Sequence, residues 1–206
     1  MKRILAILLC AGASAHAALI QIVTDNDFAL LTGTATSITR LVYQSDVEWP
    51  TQISNASSFD LSLAAGENTI YILAMGGGGD ENVSGRINGI DISTLSNLQM
   101  STPVQGYLSG YNPSDVAAGT YNASLPDLQN AMPNLTWFTP TPGSGGVIEA
   151  SGFALGYPFA DSSAVLLRFG ASDVGVPDGV PEPSALSLLA VGLGGLALLR
   201  RGRKED

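Results

Sequence analysis

The sequence predicts a mainly β body, an antiparallel β-sandwich with one or two short helices, framed by two end segments of different composition. Three observations carry this. Short β-rich runs alternate with Gly, Asn, Asp and Pro turn signals across the middle of the 206-residue chain. No heptad and no fixed-period repeat is present. Each end carries an uncharged apolar run beside basic residues, unlike the body.

Leu19 to Val23 reads as a first strand, and Phe28 to Leu31 as a second after the Asp25-Asn26-Asp27 turn. Ser37 to Tyr43 alternates imperfectly. Phe59, Leu61 and Leu63 alternate with Asp60 and Ser62, the pattern of a half-buried strand. Ala65-Gly66-Glu67-Asn68 makes a turn. Thr69 to Met75 is nearly all apolar and reads as a central strand buried on both faces, ended by Gly76 to Gly79. Arg86 to Ile92 reads as a strand with a turn or bulge at Asn88-Gly89. The pattern loosens between Ser93 and Gly146, where Ser124 caps a short helix that Pro126 and Asp127 begin. Thr139 to Gly143 is a loop. Val147 to Phe153 is a weak strand, and Ala164 to Phe169 closes the body. The expected layout is a signal peptide over residues 1–17, the sandwich over 18–170, a linker over 171–179 and an end segment over 180–206.

Lys2 and Arg3 precede an apolar run, and Ala15-His16-Ala17 gives a small-x-small site, so signal peptidase is expected to cut between Ala17 and Ala18. At the other end, Pro181-Glu182-Pro183 is followed by uncharged residues 184–199. Arg200, Arg201, Arg203 and Lys204 then act as a membrane stop, with residues 200–206 on the cytoplasmic side. Sixteen residues span roughly 24 Å as helix, short of a bilayer core of about 30 Å but extended by snorkelling basic ends. The run is therefore expected to be a C-terminal transmembrane helix. This ordered set resembles the PEP-CTERM sorting signal of Gram-negative surface proteins, whose processing partner is exosortase. The resemblance implies export through the inner membrane, transient membrane residence and cleavage near Pro181-Glu182-Pro183. It further implies a cell-surface or secreted product associated with exopolysaccharide in a biofilm matrix. A plain stop-transfer anchor is the alternative.

Without its ends the body keeps Arg40, Arg86 and Arg168 against fifteen carboxylates, a formal charge of −12. Such a surface repels nucleic acid. His16 and Cys10 are the chain's single His and Cys, and both lie in the leader. Disulfides, His/Cys metal sites and Ser-His or Cys-His nucleophile pairs are thus excluded from the body. Lys204 is the one Lys beyond the leader, which excludes a Ser-Lys dyad as well. These absences point to a protein that is not an enzyme and needs no cofactor.

Several motifs remain. Asp25 and Asp27 on one turn, and Asp80 and Glu81 after four glycines, offer oxygens to calcium. Asx-turn and loop roles are the alternatives. The glycine run lacks the Gly-Lys-Ser/Thr ending of a phosphate loop. Asp46 and Glu48 share one face of an extended segment beside Trp49, as in a glycosidase cleft, or as in any solvated strand. Trp49, Tyr107, Tyr111 and Tyr121 are candidate sugar-stacking aromatics, with core packing as the alternative. Thr24 to Phe28, Trp49, Phe59 to Leu63, Ala65 to Ile70 and the glycine loop are, in order, similar to a galactose-binding-like jelly-roll. That likeness implies a jelly-roll-like sandwich. The expected function is an exported, exosortase-processed matrix protein. A glycan-binding module is the alternative, and a carboxylate-based glycosidase or lyase a third.

Overall fold

The computed structural model describes residues 17–45, 47, 49–52, 57–144, 152–153 and 155–179. The chain is mainly β, with two antiparallel sheets and three short helices among these residues. The first sheet runs β10 (Tyr157–Pro158), β6 (Asn82–Ile87), β1 (Ala17–Thr24), β4 (Ser57–Asp60), with β7 (Ile90–Asp91) paired to β6. The second runs β3 (Ser37–Gln44), β2 (Asp27–Thr34), β5 (Thr69–Met75), β11 (Ala164–Gly170), β8 (Gln99–Ser101), β9 (Trp137–Phe138).

The seven residues of β5 are all buried, and the sequence states why: Thr-Ile-Tyr-Ile-Leu-Ala-Met has no charge on either face. Its pleat sends Ile70, Ile72 and Ala74 into a core shared with Ile20 and Ile22 of β1 and Val83 and Ile87 of β6. Tyr71, Leu73 and Met75 join a second core with Val116 of α2 (Pro113–Ala117) and Leu128 of α3 (Leu125–Ala131). The second sheet is therefore covered on both faces, by the first sheet and by the helical segment. β11 pairs with β5 along its full length, Ala164 opposite Met75 through Gly170 opposite Thr69.

The structure sharpens or corrects several expectations. The strand expected at Arg86 to Ile92 begins at Asn82 and turns back. Asn88 and Gly89 have φ of 51° and 81°, a type I′ hairpin between β6 and β7. The half-buried strand at Phe59 to Leu63 ends at Asp60, although Leu61 is still buried. Ser124 stands at the N-cap of α3 but makes no side-chain cap bond, whereas Asn112 caps α2 through its Oδ1 to the Ser114 N–H at 3.1 Å. A third helix, α1 (Trp49–Gln52), was not anticipated.

The clearest correction concerns residues 171–179, expected as a linker. Ala171, Val174 and Val176 are buried in the first core, and Ala171–Val174 forms a 3₁₀ turn. The valines supply enough apolar surface to hold this Gly- and Asp-rich stretch down. The strand expected at Val147–Phe153 and the carboxylates Asp46 and Glu48 lie outside the described residues, Gly152 and Phe153 apart. So do the leader before Ala17 and the expected transmembrane helix over 184–199. Among the described residues no helix is long and apolar enough to cross a membrane.

Candidate functional site

The root of the C-terminal segment is built on the turn that joins β4 to β5. Gly179 N–H donates to Glu67 O at 2.9 Å, and Gly66 N–H donates to Gly179 O at 3.2 Å. Ala171 N–H donates to Asn68 O at 2.9 Å, so the two segments are joined at both ends. Gly179 passes so close to the Leu63–Ala64 backbone that a Cβ there would sit 1.7 Å from Ala64 O. Glu67, itself buried, anchors the turn. Its carboxylate accepts from Ala64 N–H at 2.7 Å, from Arg40 Nη2 at 3.1 Å and from the Thr39 hydroxyl. Burial would raise its pKa, but these donors and the Arg40 charge together hold it below the ordinary glutamate value.

The glycine loop after β5 is occupied by the protein's own carboxylates. Gly78 and Ser162 donate their N–H groups to Glu81 Oε1 at 2.7 and 3.2 Å, and Gly79 donates to Asp161 Oδ1 at 3.1 Å. The missing Cβ at Gly76 leaves the room that the Glu81 carboxylate fills. Glu81 is 3% exposed and its Oε2 has no hydrogen-bond partner. Burial pushes its pKa up to about 7, the two backbone donors oppose this, and Asp25 and Asp161 add repulsion. Asp25 is also raised, first by burial and then by Asp80. Backbone donors that would cradle a phosphate are thus already spent.

A third feature is a polar cleft of about 340 Å³ at one end of the second sheet. Asn68, Asn97, Gln99, Arg168, Ser172 and Asp178 contribute to its lining. Strand pairing sets Arg168 between Tyr71 and Gln99. Its guanidinium lies 3.9 Å from the Trp137 ring centroid and donates to Gln99 Oε1 from Nε at 2.9 Å and Nη2 at 2.6 Å. Nη1 donates to Ala35 O at 2.5 Å. The ion pairs among the described residues are Arg40–Glu67 and Arg86–Asp91, and Arg168 belongs to neither.

The decisive comparison concerns the tail. The family model of the PEP-CTERM protein-sorting motif matches residues 179–204. The chain carries a PEP-CTERM protein-sorting motif. It is therefore an exosortase-targeted exported protein, delivered across the membrane to the cell surface. No curated protein and no solved structure matches the chain.

The first residue of the PEP-CTERM match is Gly179, the residue clamped to the Gly66–Glu67 turn. Pro181, Glu182, Pro183 and the basic stop Arg200, Arg201, Arg203 and Lys204 lie outside the described residues. Ala18 is buried in β1, and Ala17 opens that strand opposite Asp60 of β4. Of the aromatics expected to stack on sugars, Tyr107 is exposed, at 42%. Tyr121 is buried, and its ring meets Tyr111 edge-on with centroids 5.4 Å apart. The Tyr111 hydroxyl lies 2.9 Å from both Gly76 O and Ser163 O, so it pins the glycine loop. Tyr121 belongs to the second core, and the half-buried Tyr111 packs against it. Trp49 falls in α1, away in sequence from the other three. Of the calcium candidates, Asp25 is close enough to both Asp80 and Glu81 for electrostatic repulsion. Among the described residues no three His, Cys, Asp or Glu side chains are grouped to hold an ion.

Sequence reasoning missed the Arg168 cleft, whose residues come from five separate stretches of chain. The one signal available was Arg168 itself, one of three arginines in an acidic body.

Proposed function

We infer that this PEP-CTERM protein is a non-catalytic component of the cell surface or extracellular matrix of a Gram-negative bacterium, working alongside exopolysaccharide. In this reading signal peptidase removes residues 1–17, residues 184–199 hold the chain transiently in the inner membrane, and exosortase cuts near Pro181-Glu182-Pro183. The body is then an antiparallel β-sandwich of jelly-roll type. A core that draws residues from both sheets supports that reading. The lack of His, Cys and Lys in the body supports a role other than catalysis.

The observation that carries the proposal is the sorting motif over residues 179–204, beginning where the chain leaves the body. Deleting residues 180–206 tests it. The truncated protein should accumulate in a different compartment from the full chain, as fractionation and immunoblotting would show. An unaltered distribution would count against the proposal.

A second reading, a glycan-binding module, is favoured by the polar cleft at Arg168. A cleft rimmed by amide, hydroxyl and charged side chains, with an aromatic ring behind, suits hydroxyl-rich ligands better than apolar ones.

A further inference from the structure

We propose that the Arg168 cleft binds a carboxylate-bearing saccharide unit, a uronate of an acidic glycan, with the guanidinium taking the carboxylate and the neighbouring amides taking ring hydroxyls. This deepens the glycan-binding reading and rests on it.

The guanidinium is fixed before any ligand arrives. Trp137 backs one face, and Gln99 Oε1 and Ala35 O hold three of its five N–H groups. The Tyr71 side chain is a further hydrogen-bond partner of the guanidinium. The cation is thus held from several sides and offers a carboxylate its positive charge and what N–H capacity remains, with little side-chain freedom left to lose on binding.

The charge balance points the same way. Arg40 and Arg86 are each neutralised by a carboxylate, whereas Arg168 has none within ion-pair distance among the described residues. In a body of fifteen carboxylates and three arginines, the lining of this cleft is where an anion meets an unpaired cation.

The rim is turned to donate as well. Gln99 spends its Oε1 on Arg168, which directs its Nε2 elsewhere. Asn68 Oδ1 accepts from the Thr69 hydroxyl at 2.9 Å, leaving Nδ2 to give. Asn97 donates Nδ2 to Asp173 at 2.7 Å, leaving its Oδ1 to accept from a hydroxyl. The volume, about 340 Å³, is at the small end for ligand sites and fits a sugar unit rather than an extended apolar molecule. Asp178 also lines the cleft and opposes an anion. It is the counterweight whose removal should tighten binding.

The test is calorimetric titration of the full chain in detergent with trigalacturonate, its methyl ester and a neutral galactose trisaccharide at pH 7. Saturable binding of the acid is expected, with ester and neutral sugar weaker by about tenfold or more. Arg168→Gln should weaken the acid by about tenfold or more, with Arg168→Lys recovering only part. Asp178→Asn, at an exposed position, should tighten it by roughly two- to fivefold. Arg86→Gln should leave it unchanged. Circular dichroism and thermal melts establish which variants fold. If Arg168→Gln does not, Asp178→Asn and Gln99→Ala decide, and acid binding indifferent to both overturns the proposal. Equal binding of ester or neutral sugar overturns it while the glycan-binding reading survives. Binding of no saccharide overturns both.

Discussion

Glu81→Gln separates the electrostatics of the glycine loop from its packing. In the folded protein the carboxyl is pushed up to about 7 from an ordinary 4.5, because burial and the neighbouring Asp25 and Asp161 disfavour its charge. A folded pKa above the unfolded one means that the native state binds the proton more tightly. The contribution to stability is therefore fully present below about pH 4.5 and is lost as pH climbs through about 7. The gap corresponds to at most about 3 kcal/mol. Gln keeps an oxygen for the Gly78 and Ser162 N–H groups but has no charge to lose. Urea unfolding of the full chain, followed by tryptophan fluorescence from pH 4.5 to 8, gives the difference between wild type and variant at each pH. The variant should gain on wild type steadily with pH, by up to about 3 kcal/mol across the range. Parallel stability curves would refute the reasoning, because an uncharged or fully solvated carboxyl contributes no such slope.

Other outcomes follow from the same structure. Gly179→Ala places a Cβ 1.7 Å from Ala64 O and should detach the tail root, seen as faster proteolysis and amide exchange across residues 171–179. Leu30→Ala, at a fully buried position in β2, should cost about 2–5 kcal/mol in thermal or urea unfolding. Tyr111→Phe keeps the ring against Tyr121 but loses the hydroxyl's bond to Gly76 O or Ser163 O, at a cost of about 1 kcal/mol in the same assay.

The parts of the fold legible in the sequence are those whose pattern is local. Thr69 to Met75 and Ala164 to Phe169 announce themselves by apolar runs, the second interrupted by Arg168, and they pair at the centre of the second sheet. Asn88-Gly89 announces the hairpin because few other dipeptides tolerate two positive φ values. β8 and β9, three and two residues long, are too short to show any periodicity, so their segment reads as loose. Residues 171–179 read as a linker because Gly, Asp and Pro dominate, while two valines with one residue between them decide the packing. Tyr111 and Tyr121 lie in a segment without clear periodicity, so the sequence leaves sugar stacking and core packing both open, and the folded chain places Tyr121 in the second core with Tyr111 against it. The PEP-CTERM motif was readable because its elements lie in order on one short stretch. The Arg168 cleft was not, because strand pairing alone brings Gln99 beside Arg168.

The most direct test of the account is intact-mass analysis of the form of this protein recovered from the cell exterior. The expected species starts at Ala18, ends near residues 181–183 and has shed Arg200, Arg201, Arg203 and Lys204. An extracellular species whose mass still includes that basic end would contradict it.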